Sequence, residues 1–124
     1  MGAQENKQTA KDAYAAFGKG DAEGAMRNMD DSVTWTVRGD SALTGTYNGK
    51  QDVGELWGKL GTKGLRTEPT DFIGDGDTVV VLTSVTLDGE TVDAADVLTY
   101  NSDGKLVAFE TRGDPSPFIN AFPK

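Results

Sequence analysis

Asp96 is the residue of this chain whose type and setting could do chemistry. It sits inside an apolar, β-branched run, residues 92–100, where alternation places it on one side with Val92, Ala94, Leu98 and Tyr100. Asp93, Thr99 and Asn101 fall on the opposite side. A carboxylate on an inward face is costly unless it is paired, hydrogen-bonded or protonated. A carboxyl group kept neutral by apolar surroundings can work as a general acid or base, or donate a hydrogen bond to a developing enolate. Two readings stand at this point. One is a polar group at the floor of a ligand cavity. The other is a structural carboxylate bonded to a nearby Thr, Tyr or Trp.

The rest of the composition narrows the chemistry that could accompany it. The chain has no Cys, which removes a disulfide framework, a thiol nucleophile and a Cys metal site. It has no His, which removes a Ser-His-Asp triad, the usual zinc-water site and a proximal haem ligand. Acid–base work falls to Asp, Glu, Tyr, Lys or Arg. Metal binding through carboxylates alone stays open, yet no EF-hand loop spacing is present, and neither a metal site nor a cofactor is expected. Asp71, Asp75 and Asp77 flank glycines and read as hairpin residues. The net charge of −8, with 12 scattered basic residues, argues against nucleic acid. No run approaches the roughly 18 apolar residues of a membrane span. Residues 1–12 are polar and lack the apolar stretch of a secretory signal, so a cytoplasmic protein is expected.

The 124 residues, 36% of them hydrophobic and 26% charged, fit one soluble domain spanning 1–124. Ala10, Ala13, Tyr14 and Phe17 lie at helical spacing, and Gly18 and Gly20 end that stripe. Asp21 is placed to cap a second helix with Ala22, Ala25, Met26 and Met29 on its apolar face. Asp30-Asp31-Ser32 breaks the pattern before a short strand at 33–37. A loop containing Gly39, Gly45 and Gly49 follows. A third helix starts near Asn48, with Val53, Leu56, Trp57 and Leu60 on one side. Gly54 and Gly58 each weaken it by about 1 kcal/mol relative to Ala, which suggests close packing at those positions.

From Leu65 onward the period changes to two, with strand-like runs at 66–73, 78–87, 91–101 and 105–113. Residues 74–77, Asp88-Gly89 and Asp103-Gly104 supply turn chemistry between them. This order predicts an α+β fold, with helices on one face of an antiparallel meander. Val79, Val81, Thr83, Val85 and Leu87, with Val107, Phe109 and Thr111, should face the helices beside Asp96. The opposite face carries Val80, Leu82, Ala95, Val97 and Ala108, more apolar than solvent requires, so a homodimer through the outer sheet face is expected. The tail, 114–124, holds Pro115, Pro117 and Pro123. It should not be helical throughout, and Phe118, Ile119 and Phe122 should pack on the domain or a neighbour.

Tyr14-Ala-Ala-Phe17, Gly20-Asp21, Asp30-Asp31, Trp35-Thr-Val-Arg-Gly39 and Gly45-Thr-Tyr47-Asn-Gly49-Lys50 together resemble the SnoaL-like family of the nuclear transport factor 2-like superfamily. Asp103-Gly104-Lys105-Leu106 continues the likeness, which covers roughly residues 7 to 114. The resemblance implies a cone-shaped fold, three N-terminal helices on a curved antiparallel sheet with a deep apolar pocket. Ketosteroid isomerase shares that superfamily, and its oxyanion-hole aspartate, kept neutral by an apolar site, corresponds to Asp96. In the same register its proton-abstracting aspartate falls at Thr36. Its tyrosine falls at Ala13, with Tyr14 one position off on a different azimuth. The acidic residue of the SnoaL cyclases falls at Thr111. The epoxide hydrolase relay needs an arginine in the pocket, and the parity of Arg112 points it outward.

Asp96 is therefore the single candidate catalytic residue. Tyr14, Trp35, Tyr47, Trp57, Leu98, Tyr100, Phe109 and Thr111 are the candidate ligand contacts. The expected partner is a small apolar or aromatic molecule, polyketide- or terpenoid-like, met by a cofactor-free isomerase or cyclase type of site. The alternative is a non-catalytic binding or dimerisation module of the same fold.

Overall fold

The helical stripe of Ala10, Tyr14 and Phe17 forms α1 (Ala3–Gly18), and a computed structural model describes it together with the rest of residues 2–124. The elements that follow are α2 (Ala22–Met26), β1 (Met29–Val37), β2 (Gly45–Asn48), α3 (Gly49–Gly61), β3 (Arg66–Asp75), β4 (Thr78–Leu87), β5 (Glu90–Tyr100), β6 (Leu106–Gly113) and α4 (Ser116–Ala121). All strands join one six-stranded sheet in the order β2-β1-β6-β5-β4-β3. The sheet curves, the N-terminal helices lie on its inner face, and the α+β architecture is the one expected.

The meander from β3 to β6 is antiparallel throughout, and β1 then adds to β6 in parallel. Alternation along β4 is strict: Val79, Val81, Thr83, Val85 and Leu87 are all buried. Asp88 (φ 51°) and Gly89 (φ 82°) form the β4–β5 turn, both in the left-handed region that a tight hairpin requires. Asp21 caps α2 as read, its carboxylate accepting from the Gly24 amide at 2.9 Å.

Four local expectations change. Met29 begins β1 and does not extend the apolar face of α2, so Asp30, Asp31 and Ser32 lie within a strand. The pairing of β1 with β6 shifts register between Met29 and Thr34, which lets this polar stretch stay at the rim. Residues 45–48, read as loop, form the edge strand β2, too short and Gly-rich to show a period. On β6 a bulge opposite Thr99 and Tyr100 makes Leu106, not Val107, the buried residue at that end. In α3 a side chain at Gly54 would make only ordinary contact with Met26, and Gly58 faces open space, so close packing does not explain these glycines.

Two apolar clusters fill the concave side. One gathers Ala10, Val33, Val53, Val79, Val81, Leu98, Tyr100 and Phe109. The other joins Val37, Leu43, Leu56, Leu60 and Leu87 to the tail through Ala121, with Phe118 and Phe122 packed against it. Leu56 and Leu87 are fully buried, each stabilising the fold by about 1.5–3 kcal/mol. Asn6, also fully buried, has no hydrogen-bond partner for either amide atom among the described residues. The tail helix α4 is only six residues long, and Pro117 is buried in it. On the outer face Ile73 is 50% and Leu82 38% exposed. Among the described residues, no helix is long and apolar enough to cross a membrane.

Candidate functional site

The site is built from strand register. Asp96 on β5 pairs with Val81 of β4 on one side and with Thr111 of β6 on the other. The next inward rung sets Leu98 between Val79 and Phe109, and Phe109 in turn pairs with Trp35 of β1. These rungs make a polar row and an apolar row side by side on the concave face. Helix α1 closes over them. Gly74 on β3 lets it come close, because a side chain there would meet Lys7 Cγ at 2.9 Å and the Ala3 carbonyl at 3.1 Å.

That approach delivers Tyr14 to Asp96. The Tyr14 hydroxyl donates to Asp96 Oδ2, and the Thr111 hydroxyl donates to Oδ1 at 2.8 Å. Asp96 is 3% exposed. Burial pushes its pKa above the ordinary carboxylate value, and the bonds from Tyr14 and Thr111 pull it back only in part. Burial, followed by the neighbouring carboxylate, pushes the Tyr14 hydroxyl well above its usual value. Once Asp96 is neutral, its own proton can go to the Tyr14 oxygen. The phenolic hydrogen is then free to turn toward the cavity.

The cavity in front of this pair encloses about 140 Å³. An apolar space of that order admits at least a benzene-sized ring. Its walls include Tyr14, Phe17, Trp35, Trp57, Asp96, Leu98, Tyr100, Leu106, Phe109 and Thr111, with Arg38, Asp114, Pro115 and Phe118 also contributing. Trp35 stacks on Phe109 with ring centroids 3.5 Å apart and planes at 15°. Trp57 meets Trp35 edge-on at 5.5 Å and Phe17 edge-on at 4.9 Å. Tyr14 meets Phe72 edge-on at 5.7 Å. Among the described residues no group of acidic side chains could hold a metal ion.

Seven of the eight residues expected around Asp96 therefore line one cavity with it: Tyr14, Trp35, Trp57, Leu98, Tyr100, Phe109 and Thr111. Tyr47 does not. Its hydroxyl donates to the Leu43 carbonyl at 2.7 Å, which fastens the loop before β2. Tyr14 corrects the azimuth argument as well. Despite the one-residue offset, the Tyr14 hydroxyl reaches the carboxylate from a helix that packs closely over Gly74. Thr36 pairs with Thr46 and Glu110, while Trp35 supplies the aromatic surface from β1. Arg112 lies where its parity placed it, chelating Glu110 through Nε at 3.1 Å and Nη2 at 2.7 Å. Phe17 and Phe118 were not among the expected site residues. Phe17 could have been found three positions after Tyr14 on the same stripe, whereas nothing local announces how the tail docks.

The chain belongs to the SnoaL-like family: the SnoaL-like domain matches residues 10–109. Among solved structures it is similar to TerC co-crystallized with polyporic acid, at 31% identity and a TM-score of 0.75, over 94% of this chain and 96% of that one. It is also similar to an NTF2-like protein of unknown function from Burkholderia pseudomallei K96243, at 27% identity and TM-score 0.78, over 96% and 98%. Bal32a from a soil-derived mobile gene cassette shares the fold at 19% identity and TM-score 0.84, over 97% and 98%. No curated protein matches the sequence.

Proposed function

We propose that the protein binds a small aromatic molecule in this cavity and catalyses a cofactor-free proton transfer on it, of the isomerase or cyclase type. The observation that carries the reading is the Tyr14–Asp96–Thr111 cluster, a carboxyl group 3% exposed at the floor of an aromatic-walled space. Asp96 is the proton reservoir. In its neutral form it passes its proton through Tyr14 Oη to a carbonyl oxygen of the ligand, and the carboxylate left behind takes up the proton released from the adjacent carbon, so the enol forms and Asp96 returns to its neutral state. Trp35, Phe109 and Trp57 hold the ring and exclude water, which keeps Asp96 neutral. The similarity to a protein co-crystallized with polyporic acid supports a small organic ligand for this chain.

A second reading rests on the same cluster. Both Asp96 oxygens already accept hydrogen bonds, so the carboxylate can serve only to orient Tyr14 in a non-catalytic binding protein. Native mass spectrometry of freshly purified protein should reveal a co-purified molecule, and Asp96→Asn then separates the two. Retained ligand affinity with lost turnover supports the enzyme. Weakened affinity, with no turnover in the unchanged protein, supports the binder.

A further inference from the structure

We infer that Tyr100 is the specificity-determining residue of the cavity, its hydroxyl anchoring an oxygen of an otherwise apolar aromatic ligand. The inference rests on the cavity being a ligand site, and it assigns that ligand a chemical class, an oxygenated aromatic instead of a plain hydrocarbon. Tyr100 stands on the same face of β5 as Asp96, with Leu98 between them. It is 3% exposed and lines the cavity, yet its hydroxyl has no hydrogen-bond partner among the described residues. The hydroxyls nearest Asp96 are engaged, Tyr14 and Thr111 with the carboxyl group itself, and Thr9 on α1 with the Glu5 carbonyl. Thr36 and Thr67 also line the cavity but are only half-buried, which leaves Tyr100 as the buried hydroxyl without a partner.

Leaving a buried phenol unpaired is unfavourable, and a fold gains nothing from it that Phe would not supply better. The Asn6 amide is unpaired too, but its polar atoms are sealed inside the protein. The Tyr100 oxygen is not among the sealed atoms, so it opens on the space a ligand would fill. Burial raises the Tyr100 pKa, so the group stays a donor across the physiological range. Tyr14 lies within its electrostatic reach. The two phenols thus offer donors from two elements, Tyr14 of α1 tied to the proton reservoir and Tyr100 of β5 free. A ligand oxygen at Tyr100 would fix which edge of the ring is presented to Tyr14.

The test pairs two near-isosteric probes, 2-naphthol and 2-methylnaphthalene, against the unchanged protein, Tyr100→Phe and Tyr14→Phe, with Kd read from tryptophan fluorescence at neutral pH. The unchanged protein should prefer 2-naphthol by about tenfold, the worth of one hydrogen bond made to an otherwise unpaired group. Tyr100→Phe should abolish that preference and leave 2-methylnaphthalene affinity unchanged. The ligand-free Tyr100→Phe protein should melt at the same temperature or higher, since it loses only an unsatisfied polar group. A preference retained in Tyr100→Phe but lost in Tyr14→Phe overturns the assignment and leaves the binding cavity standing. A lower melting temperature for Tyr100→Phe also overturns it, in favour of a structural hydroxyl. If neither probe binds the unchanged protein, the cavity reading itself fails, and the Tyr100 assignment with it.

Discussion

Tyr14 and Asp96, 82 positions apart in the chain, share a buried hydrogen bond that ties the first helix to the middle of the sheet. Register on β5 and β6 supplies Thr111 as the second partner, so one carboxyl group is held from two elements at once. The consequences can be measured on the protein alone, before any ligand is known.

The first concerns pH. The raised pKa means that the folded protein keeps the Asp96 proton where the unfolded chain, with an ordinary value of about 3.9, has lost it. The stability linked to this group is fully present below the ordinary value and is lost as pH rises through the raised folded value. Asp96→Asn is neutral at every pH and nearly isosteric, so it escapes that loss. Melting temperatures of the two proteins should diverge in the variant's favour from about pH 4 upward and then run parallel. Parallel curves throughout would mean that the folded state does not disfavour the charged carboxylate.

Tyr14→Phe removes one of the two donors and leaves Asp96 Oδ2 without a partner. Its expected cost is about 1–3 kcal/mol, measured by denaturant unfolding. Tyr14→Phe should cost less in an Asp96→Asn background than in the unchanged protein, because both changes act on one bond.

The stack of Phe109 on Trp35 joins β6 to β1 and forms a wall of the cavity. Phe109→Ala should destabilise by about 3–5 kcal/mol, a large fraction of the whole for a domain of this size. Because the chain's two tryptophans, Trp35 and Trp57, both line the cavity, the variant should also shift the emission to the red. Unchanged emission would place both indoles away from the affected wall.

Asn6 offers a change in the opposite direction. Its amide is fully buried with neither atom partnered, so Asn6→Leu, which keeps the branched skeleton and removes both polar atoms, should gain about 1 kcal/mol. Thermal unfolding reads it directly. A loss of stability would show that the amide makes a polar contact after all.

Much of this arrangement was readable before folding was considered. Strict alternation along 78–87 and 92–100 fixed which side of the sheet Asp96 faces, because a one-residue slip would expose every Val of that face. Turn residues such as Asp88-Gly89 set the strand ends. Sequence period could not show that β1 joins β6 in parallel, since that pairing is made between segments about 75 residues apart. Nor could it reveal the β6 bulge, which exchanges Leu106 for Val107, or the four-residue strand at Gly45–Asn48. Spacing along α1 gives the azimuth of Tyr14 but not how closely the helix lies on the sheet, and that closeness, allowed by the bare backbone at Gly74, is not written in the helix's own period. Tyr47 looked like a cavity hydroxyl because a loop fastener and a ligand contact share the same residue type.

The most direct measurement is a carbon-detected NMR titration of the Asp96 carboxyl group in the unchanged protein and in Tyr14→Phe. The Asp96 pKa should lie above the ordinary carboxylate range in the first and rise further in the second, where a stabilising donor is gone. A solvent-like value in the unchanged protein, or no response to loss of the Tyr14 hydroxyl, would contradict it.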